Sequence, residues 1–211
     1  MITPQIDFSA RLGVARDQGQ RPTCLVFAGS DLNAEAKGVG HLSTEFLCYH
    51  AAKLAGNWQP GHGFQVDHVL GAVRAPGQPS EALYPYQPDG HDKPLTMPSG
   101  NFPLFASPTA RQEDMTAAAV VNHLAAAKPV GLVIQVCQAL MVPKDGIIEF
   151  DPFVIPEQYH ALIGVGLGVD PDTGEGHVLL RNSWGESWGR AGHAWMPRAL
   201  LDILFVEGFL I

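Results

Sequence analysis

Nothing in this chain is basic enough to grip a nucleic-acid backbone. Lys and Arg total 13 against 21 Asp and Glu, a formal net charge of −8 at pH 7, and the basic residues are not clustered as phosphate contacts require. Long apolar runs are missing too: no window approaches the roughly 20 apolar residues that a membrane helix needs. The opening stretch "MITPQIDFSARLG" has neither the basic n-region nor the apolar h-region of a secretory signal. Cysteine is scarce. Cys24, Cys48 and Cys137 lie far apart with no C-x-x-C pair, so neither a disulfide framework nor a zinc site fits. The expected setting is the reducing cytoplasm, with free thiols. Internal repeats and low-complexity tracts are absent.

What remains is ordinary globular composition. With 211 residues, 46% of them apolar and 16% charged, the chain is long enough for one sizeable core or for two lobes. From Thr23 to about Gly56 the pattern is helical. Leu25, Ala28, Leu32 and Ala36 recur at helical spacing behind Thr23 as N-cap, and a second helix over Ser43–Leu54 takes Ser43 as its cap. A third is expected around Val66–Val73. Residues 75–108 are rich in Pro and Gly and read as irregular chain. The alanine-rich "MTAAAVVNHLAAAK" predicts a helix that stops before Pro129. Strand-like runs follow at 130–136, 159–169 and 176–184, the last two joined as a hairpin through "DPDTGEG". The division falls into a mainly helical part, residues 10–114, and a mainly antiparallel β part, residues 115–211 with 1–9.

Cys24 lies in "DQGQRPTCLVFAGS" at the start of the first predicted helix. Unpaired N–H groups and the helix dipole there favour negative charge, and the thiolate is the reactive form of cysteine. A nucleophilic cysteine also needs a base, most often His, held by a third group. His160 opens the apolar strand "YHALIGVG", where a polar aromatic is out of character, and Asn182 ends the next strand in "LLRNSWGESWG". Adjacent antiparallel strands bring these two side by side, so that an amide oxygen can fix the imidazole tautomer.

These blocks resemble the papain-like cysteine peptidases, and the similarity runs over nearly the whole chain. The matching blocks are "DQGQRPTCLVFA", "YHALIGVGLG" and "RNSWGESWG", with the Cys-to-His interval within the roughly 130–150 residues of that family. Weaker echoes are "LSTEFL", "GHGF", "YPYQ" and "KPVGLVIQ". The resemblance implies an α+β, two-lobed papain-like fold. Its N-terminal lobe would be helical, its C-terminal lobe antiparallel and β-barrel-like, with the active-site cleft between. It implies Cys24 as nucleophile, His160 as general acid and base, and Asn182 as the group that orients His160. Gln18 and the Cys24 N–H would supply the oxyanion donors, and Trp184 would shield the Asn182–His160 bond. Gly61, Gly63, Phe64, Val133 and Tyr159 would contact substrate, with Tyr159 narrowing the pocket for the second residue upstream of the cut.

The activity so implied is endopeptidase hydrolysis of polypeptides through a thioester, with no cofactor and no metal. Acyl transfer to another amine, or a degenerate peptide-binding module, are the rivals on the same fold. Two departures stand out: Arg21 occupies the place of a disulfide-forming cysteine, and Leu25 replaces the usual Trp. No inhibitory pro-segment is expected, since mature-type sequence begins almost at Met1. Restraint would then fall to a protein inhibitor, or to a cognate immunity protein if the chain is a toxin-like effector delivered into another cell. Cys48 and Cys137 read as small hydrophobes. "GVGLG" is rejected as a phosphate loop because a turn follows it where a helix should. "DPDTGE" reads as a plain turn, lacking the later acid of a calcium loop. The other histidines show no metal-ligand spacing.

Overall fold

Every residue from Leu25 to Ala34, the polar Ser30, Asp31 and Asn33 included, is buried in the helix Cys24–Lys37 (α1), and a helix buried on all sides belongs at the centre of its unit. The computed structural model describes residues 1–211 apart from Asp92 and Glu113. It divides into two units, Gln18–Arg111 with Ile211, and Met1–Asp17 with Gln112–Leu210.

The first unit is helical. Thr44–Ala55 (α2) starts at Ser43, whose Oγ accepts from the Phe46 N–H at 3.0 Å, the expected cap. Val66–Arg74 (α3) buries Val66, Val69, Leu70 and Val73 along one face and packs on α1 and α2. Gly29 permits close approach: a Cβ there would stand 2.9 Å from Val69 Cγ1. Thr23 precedes α1 but makes no cap bond with its side chain; its hydroxyl is engaged by Tyr86 instead, at 2.9 Å. The Pro- and Gly-rich segment is held through fully buried Gln78. Its amide donates to Ser30 Oγ at 2.8 Å and Ser43 O at 2.9 Å, and accepts from Asn33 Nδ2 at 3.0 Å.

The second unit is an antiparallel sheet. Its strands are Thr3–Asp7 (β1), Ala110–Gln112 (β2), Val130–Cys137 (β3), Val154–Val169 (β4), Gly176–Arg181 (β5), His193–Pro197 (β6) and Phe205–Leu210 (β7). They are ordered β2-β7-β3-β4-β5-β6, with β1 added on β4. Ala117–Ala125 (α4) and Arg198–Leu204 (α6) pack on it, and a short helix, Gln138–Met141 (α5), follows β3.

The sheet corrects the expectation of a β-barrel-like lobe: it is open. Closure requires the terminal strands to hydrogen-bond to each other, and β2 and β6 end the order without pairing together. β2 is only 3 residues long. The outer edge of β6 is already taken: Trp195 N–H donates to Gly146 O and Trp195 O accepts from Ile148 N–H, both at 2.9 Å.

Two features tie this sheet together. Register pairs Gly131 with Phe209, and the Phe209 ring occupies the space a Cβ on Gly131 would need. The glycines of "GVGLG" also serve packing: a Cβ on Gly164 would stand 3.3 Å from Leu124 of α4, and one on Gly166 would run into Ile6 O of β1. The hairpin between β4 and β5 closes with Asp170 N–H on Glu175 O at 2.9 Å and Gly174 N–H on Asp170 O at 2.8 Å. The alanine-rich helix, α4, takes Thr116 as its cap and ends at Ala125, since Ala127 turns to φ 55°. β4 begins earlier than expected, at Val154, and β5 ends at Arg181, which leaves Asn182 just beyond its strand.

Candidate active site

In the sheet unit, β4 carries His160 opposite Ile134 of β3, and the chain leaving β5 carries Asn182, whose N–H donates to Gly192 O at 3.0 Å. Asn182 Oδ1 lies 2.7 Å from His160 Nε2 and also accepts from the Ser183 N–H at 2.8 Å. An amide oxygen only accepts, so His160 holds its proton on Nε2 and Nδ1 is the basic nitrogen. His160 is 5% exposed and Asn182 3%; a hydrogen bond in so dry a place is stronger than one in water. The Trp184 ring lies 4.4 Å from the imidazole at 34°. Trp188 meets Trp184 edge-on at 6.1 Å, and its indole N–H is held by Leu140 O at 2.9 Å. Among the described residues, Asn182 Nδ2 is buried without a hydrogen-bond partner, which costs about 1–3 kcal/mol against the two bonds that Oδ1 accepts.

Register puts Val133 opposite Ala161 and Gln135 opposite Tyr159. Val133 and Tyr159 therefore project from the face of the β3–β4 ladder that His160 does not occupy, and Tyr159 is 57% exposed.

In the helical unit, Cys24 is the first residue of α1 and half-buried. Gln18 is buried; its side-chain amide donates to Arg21 O at 2.7 Å, and its own carbonyl accepts from the Tyr86 hydroxyl at 2.8 Å. Arg21 is buried in an ion pair with Glu45 and donates to Gln87 O at 2.8 Å. Glu45 in turn accepts from the Gln87 N–H at 3.2 Å. An ion pair thus stands at the position where the family resemblance places a disulfide. The Gly61–Phe64 loop runs beside this turn. A Cβ on Gly63 would stand 3.7 Å from Pro22 O, and Gly61 has φ 80°, a conformation suited to glycine. Phe64 stacks on Trp58 at 5.5 Å, and the Trp58 indole donates to His62 O at 3.0 Å.

The sequence-predicted residues thus form three sets: His160, Asn182 and Trp184 in the sheet unit, Val133 and Tyr159 on the other face of the β3–β4 ladder, and Gln18, Cys24, Gly61, Gly63 and Phe64 in the helical unit. Sequence reasoning missed Tyr86 and Glu45 as supports of the Cys24 turn, although both lie in quoted echoes, "YPYQ" and "LSTEFL". Burial pushes the Cys48 and Cys137 thiols up, so both are held as inert thiols. No group of three or more His, Cys, Asp or Glu among the described residues could hold a metal ion. No helix among them is long and apolar enough to cross a membrane.

The sheet unit thus carries a buried His–Asn pair under a tryptophan, and the helical unit a cysteine that opens a buried helix. The chain belongs to the papain family of cysteine proteases: the family described as "Papain family cysteine protease" matches residues 61–202. That span contains His160, Asn182 and Trp184 and begins after Gln18 and Cys24. The chain is 26% identical over 195 residues to "Cysteine proteinase 3" of Dictyostelium discoideum, covering 87% of this chain and 55% of that protein. It is 26% identical over 208 residues to "Thiol protease SEN102" of Hemerocallis sp., covering 93% of this chain and 55% of the relative. The chain therefore spans about half the length of these curated relatives. Digestive procathepsin L 3 of Tenebrio molitor larval midgut shares the fold, with a TM-score of 0.78 at 22% identity over 97% of this chain and 68% of that one.

Proposed function

We propose that this chain is a cysteine endopeptidase that hydrolyses peptide bonds of polypeptides through a thioester at Cys24. The observation that carries the reading is the buried 2.7 Å contact between His160 Nε2 and Asn182 Oδ1. It presets the tautomer a general base needs, at the expense of a stranded Asn182 Nδ2.

The chemistry follows from the groups present. The Cys24 thiolate, favoured at the N-terminus of α1, attacks the scissile carbonyl carbon. The carbonyl oxygen takes up negative charge and is met by the Gln18 side-chain N–H and the Cys24 backbone N–H, each such donor worth about 2.7–4 kcal/mol in enzymes generally. The C–N bond breaks as the His160 imidazolium gives its Nδ1 proton to the leaving amine. Water then attacks the thioester, losing a proton to Nδ1; the carboxylic acid departs and the thiolate returns. Asn182 holds the ring through both steps, and Trp184 keeps water from that bond. Gly61 and Gly63 leave room for an extended peptide backbone, with Phe64 as a candidate contact for its side chains; Val133 and Tyr159, on the ladder face away from His160, are reached only by a substrate that extends past that strand pair.

The buried Arg21–Glu45 pair supports a working place in a reducing compartment, where a disulfide would not last. The cytoplasm fits, either the producing cell's own or that of a cell into which the chain is delivered as an effector. A protein inhibitor, or an immunity protein in the effector case, is then the proposed restraint. Growth arrest on expression, relieved by a co-expressed genomic neighbour, supports the effector reading; unimpaired growth counts against it.

The test of activity is incubation of wild type and Cys24→Ala with an unfolded protein and with a thiol-directed epoxide. Wild type should cleave and take one label, and the variant should do neither. A wild type that does neither sinks the proposal. Product masses separate hydrolysis, which adds water across the bond, from acyl transfer, which adds an amine.

A further inference from the structure

One side chain outside the expected set touches the Cys24 turn at several points. Tyr86 donates its hydroxyl to Gln18 O at 2.8 Å. A phenol has one proton, so at the 2.9 Å contact with Thr23 Oγ1 the threonine hydroxyl is the donor, in preference to its longer 3.4 Å contact with Arg21 O. The result is a hydroxyl relay, Thr23 to Tyr86 to the Gln18 carbonyl. The ring itself is gripped on two sides. Arg21 Cζ lies 4.7 Å over its centroid, and Phe27 of α1 meets it edge-on at 4.9 Å. Its own N–H is fixed by Glu81 Oε1 at 2.7 Å. Gln18, Arg21, Thr23 and Phe27 all belong to the stretch around Cys24, and one phenol engages all four.

We propose that Tyr86 is a positioning residue for the oxyanion donor, its hydroxyl holding the Gln18 backbone while Arg21 O holds the Gln18 side-chain amide. With both ends of Gln18 tied, the amide N–H is preorganised for an oxyanion that exists only in the transition state, which is where such a donor raises the rate. Burial lifts the Tyr86 phenol to about 12, so it remains a donor throughout the neutral range. The Arg21–Glu45 pair gives the ring its cationic lid.

This inference rests on the peptidase reading, and the test separates the two. Tyr86→Phe removes the hydroxyl and keeps the ring between Arg21 and Phe27. We expect kcat to fall about 10-fold with KM within twofold, since a slight misplacement of a catalytic group is costly, while the melting temperature moves little. Thr23→Val, which cuts the relay one link earlier, should lower kcat less, and the double variant should be no worse than Tyr86→Phe alone. Tyr84→Phe, whose hydroxyl donates to Thr96 O at 3.1 Å, is the control and should match wild type. A merely structural Tyr86 would lower the melting temperature and leave kcat unchanged, and that result overturns the proposal. A Tyr86→Phe protein equal to wild type in every respect overturns it as well, with peptidase activity intact. A wild type without cleavage or epoxide labelling overturns both readings.

Discussion

The guanidinium of Arg181 donates to Gly13 O at 2.8 Å from a side chain only 1% exposed. It also donates to Val14 O at 2.7 Å and Leu12 O at 3.2 Å. A charge in the interior of the sheet unit is thus met by three backbone carbonyl dipoles, and the N-terminal segment after β1 is fastened to the end of β5. Removing the donors leaves the buried Leu12 carbonyl, and the part-buried carbonyls of Gly13 and Val14, without this partner. Arg181→Met should lower unfolding free energy by roughly 3 kcal/mol or more, read as a fall in the urea midpoint. Arg181→Lys should not restore it, because an ammonium cannot reproduce the planar fork. A midpoint unchanged in Arg181→Met would show that the segment is held by something else.

The stranded Asn182 Nδ2 separates catalytic from structural value. Asn182→Ala removes the unsatisfied donor together with the acceptor that serves the buried His160 Nε2–H and Ser183 N–H, so stability should fall by only about 1–3 kcal/mol. kcat should fall by about 10²-fold, the lower end of what general acid–base catalysis supplies, because the imidazole loses its orientation and preferred tautomer. A loss of stability with kcat unchanged would mean that the amide is mainly a packing group.

The candidate residues stood out because each is marked locally in sequence: a cysteine at a helix start, a histidine opening an apolar run, and an asparagine at the end of the next run. The helices followed from apolar spacing and from caps such as Ser43, whose bond to Phe46 is present. What escaped were features decided at long range. β1, β6 and β7 are short and lack strong alternation, and they exist because neighbours offer edges. The start of β4 reads "VIPEQY", largely exposed, with a proline that argues against a strand. Barrel closure could not be read from composition, since it depends on whether β2 and β6 meet. Tyr86 was hidden for a related reason: its partners Gln18 and Thr23 lie more than sixty positions away in sequence.

Thiol chemistry should distinguish the three cysteines sharply. Cys24 is half-buried at a helix start, whereas Cys48 and Cys137 are buried with thiols pushed up by that burial. Iodoacetamide at pH 8 should add one group to native protein, at Cys24, and three after denaturation. Peptide mapping decides this, and early modification of Cys48 would mean that the α2 core opens readily.

The Gly131–Phe209 pairing predicts a packing limit in the sheet. Gly131→Ala sets a methyl where the Phe209 ring lies, and overpacking of this kind costs about 1–3 kcal/mol. Phe209→Leu in the same chain should recover part of that loss, because it withdraws the obstructing ring. Additive losses in the double variant would show that the two residues do not share the space.

Alkaline stability offers a check on Tyr86 that does not depend on activity. Burial raises its phenol from 10.0 to about 12 in the folded chain, while the unfolded chain titrates near the ordinary value. Between pH 10 and pH 12 the unfolded state therefore binds fewer protons than the folded one, and stability must fall as pH rises through that window. Below pH 10 the contribution is fully present. Cys48 and Cys137 are shifted in the same direction, so wild type alone cannot isolate the phenol. The difference between wild type and Tyr86→Phe can, because both thiols are retained in each. Urea midpoints taken at pH 8.5, 10 and 11.5 should decline more steeply in wild type than in Tyr86→Phe. Parallel declines would mean that the phenol ionises in place without disturbing the turn it holds.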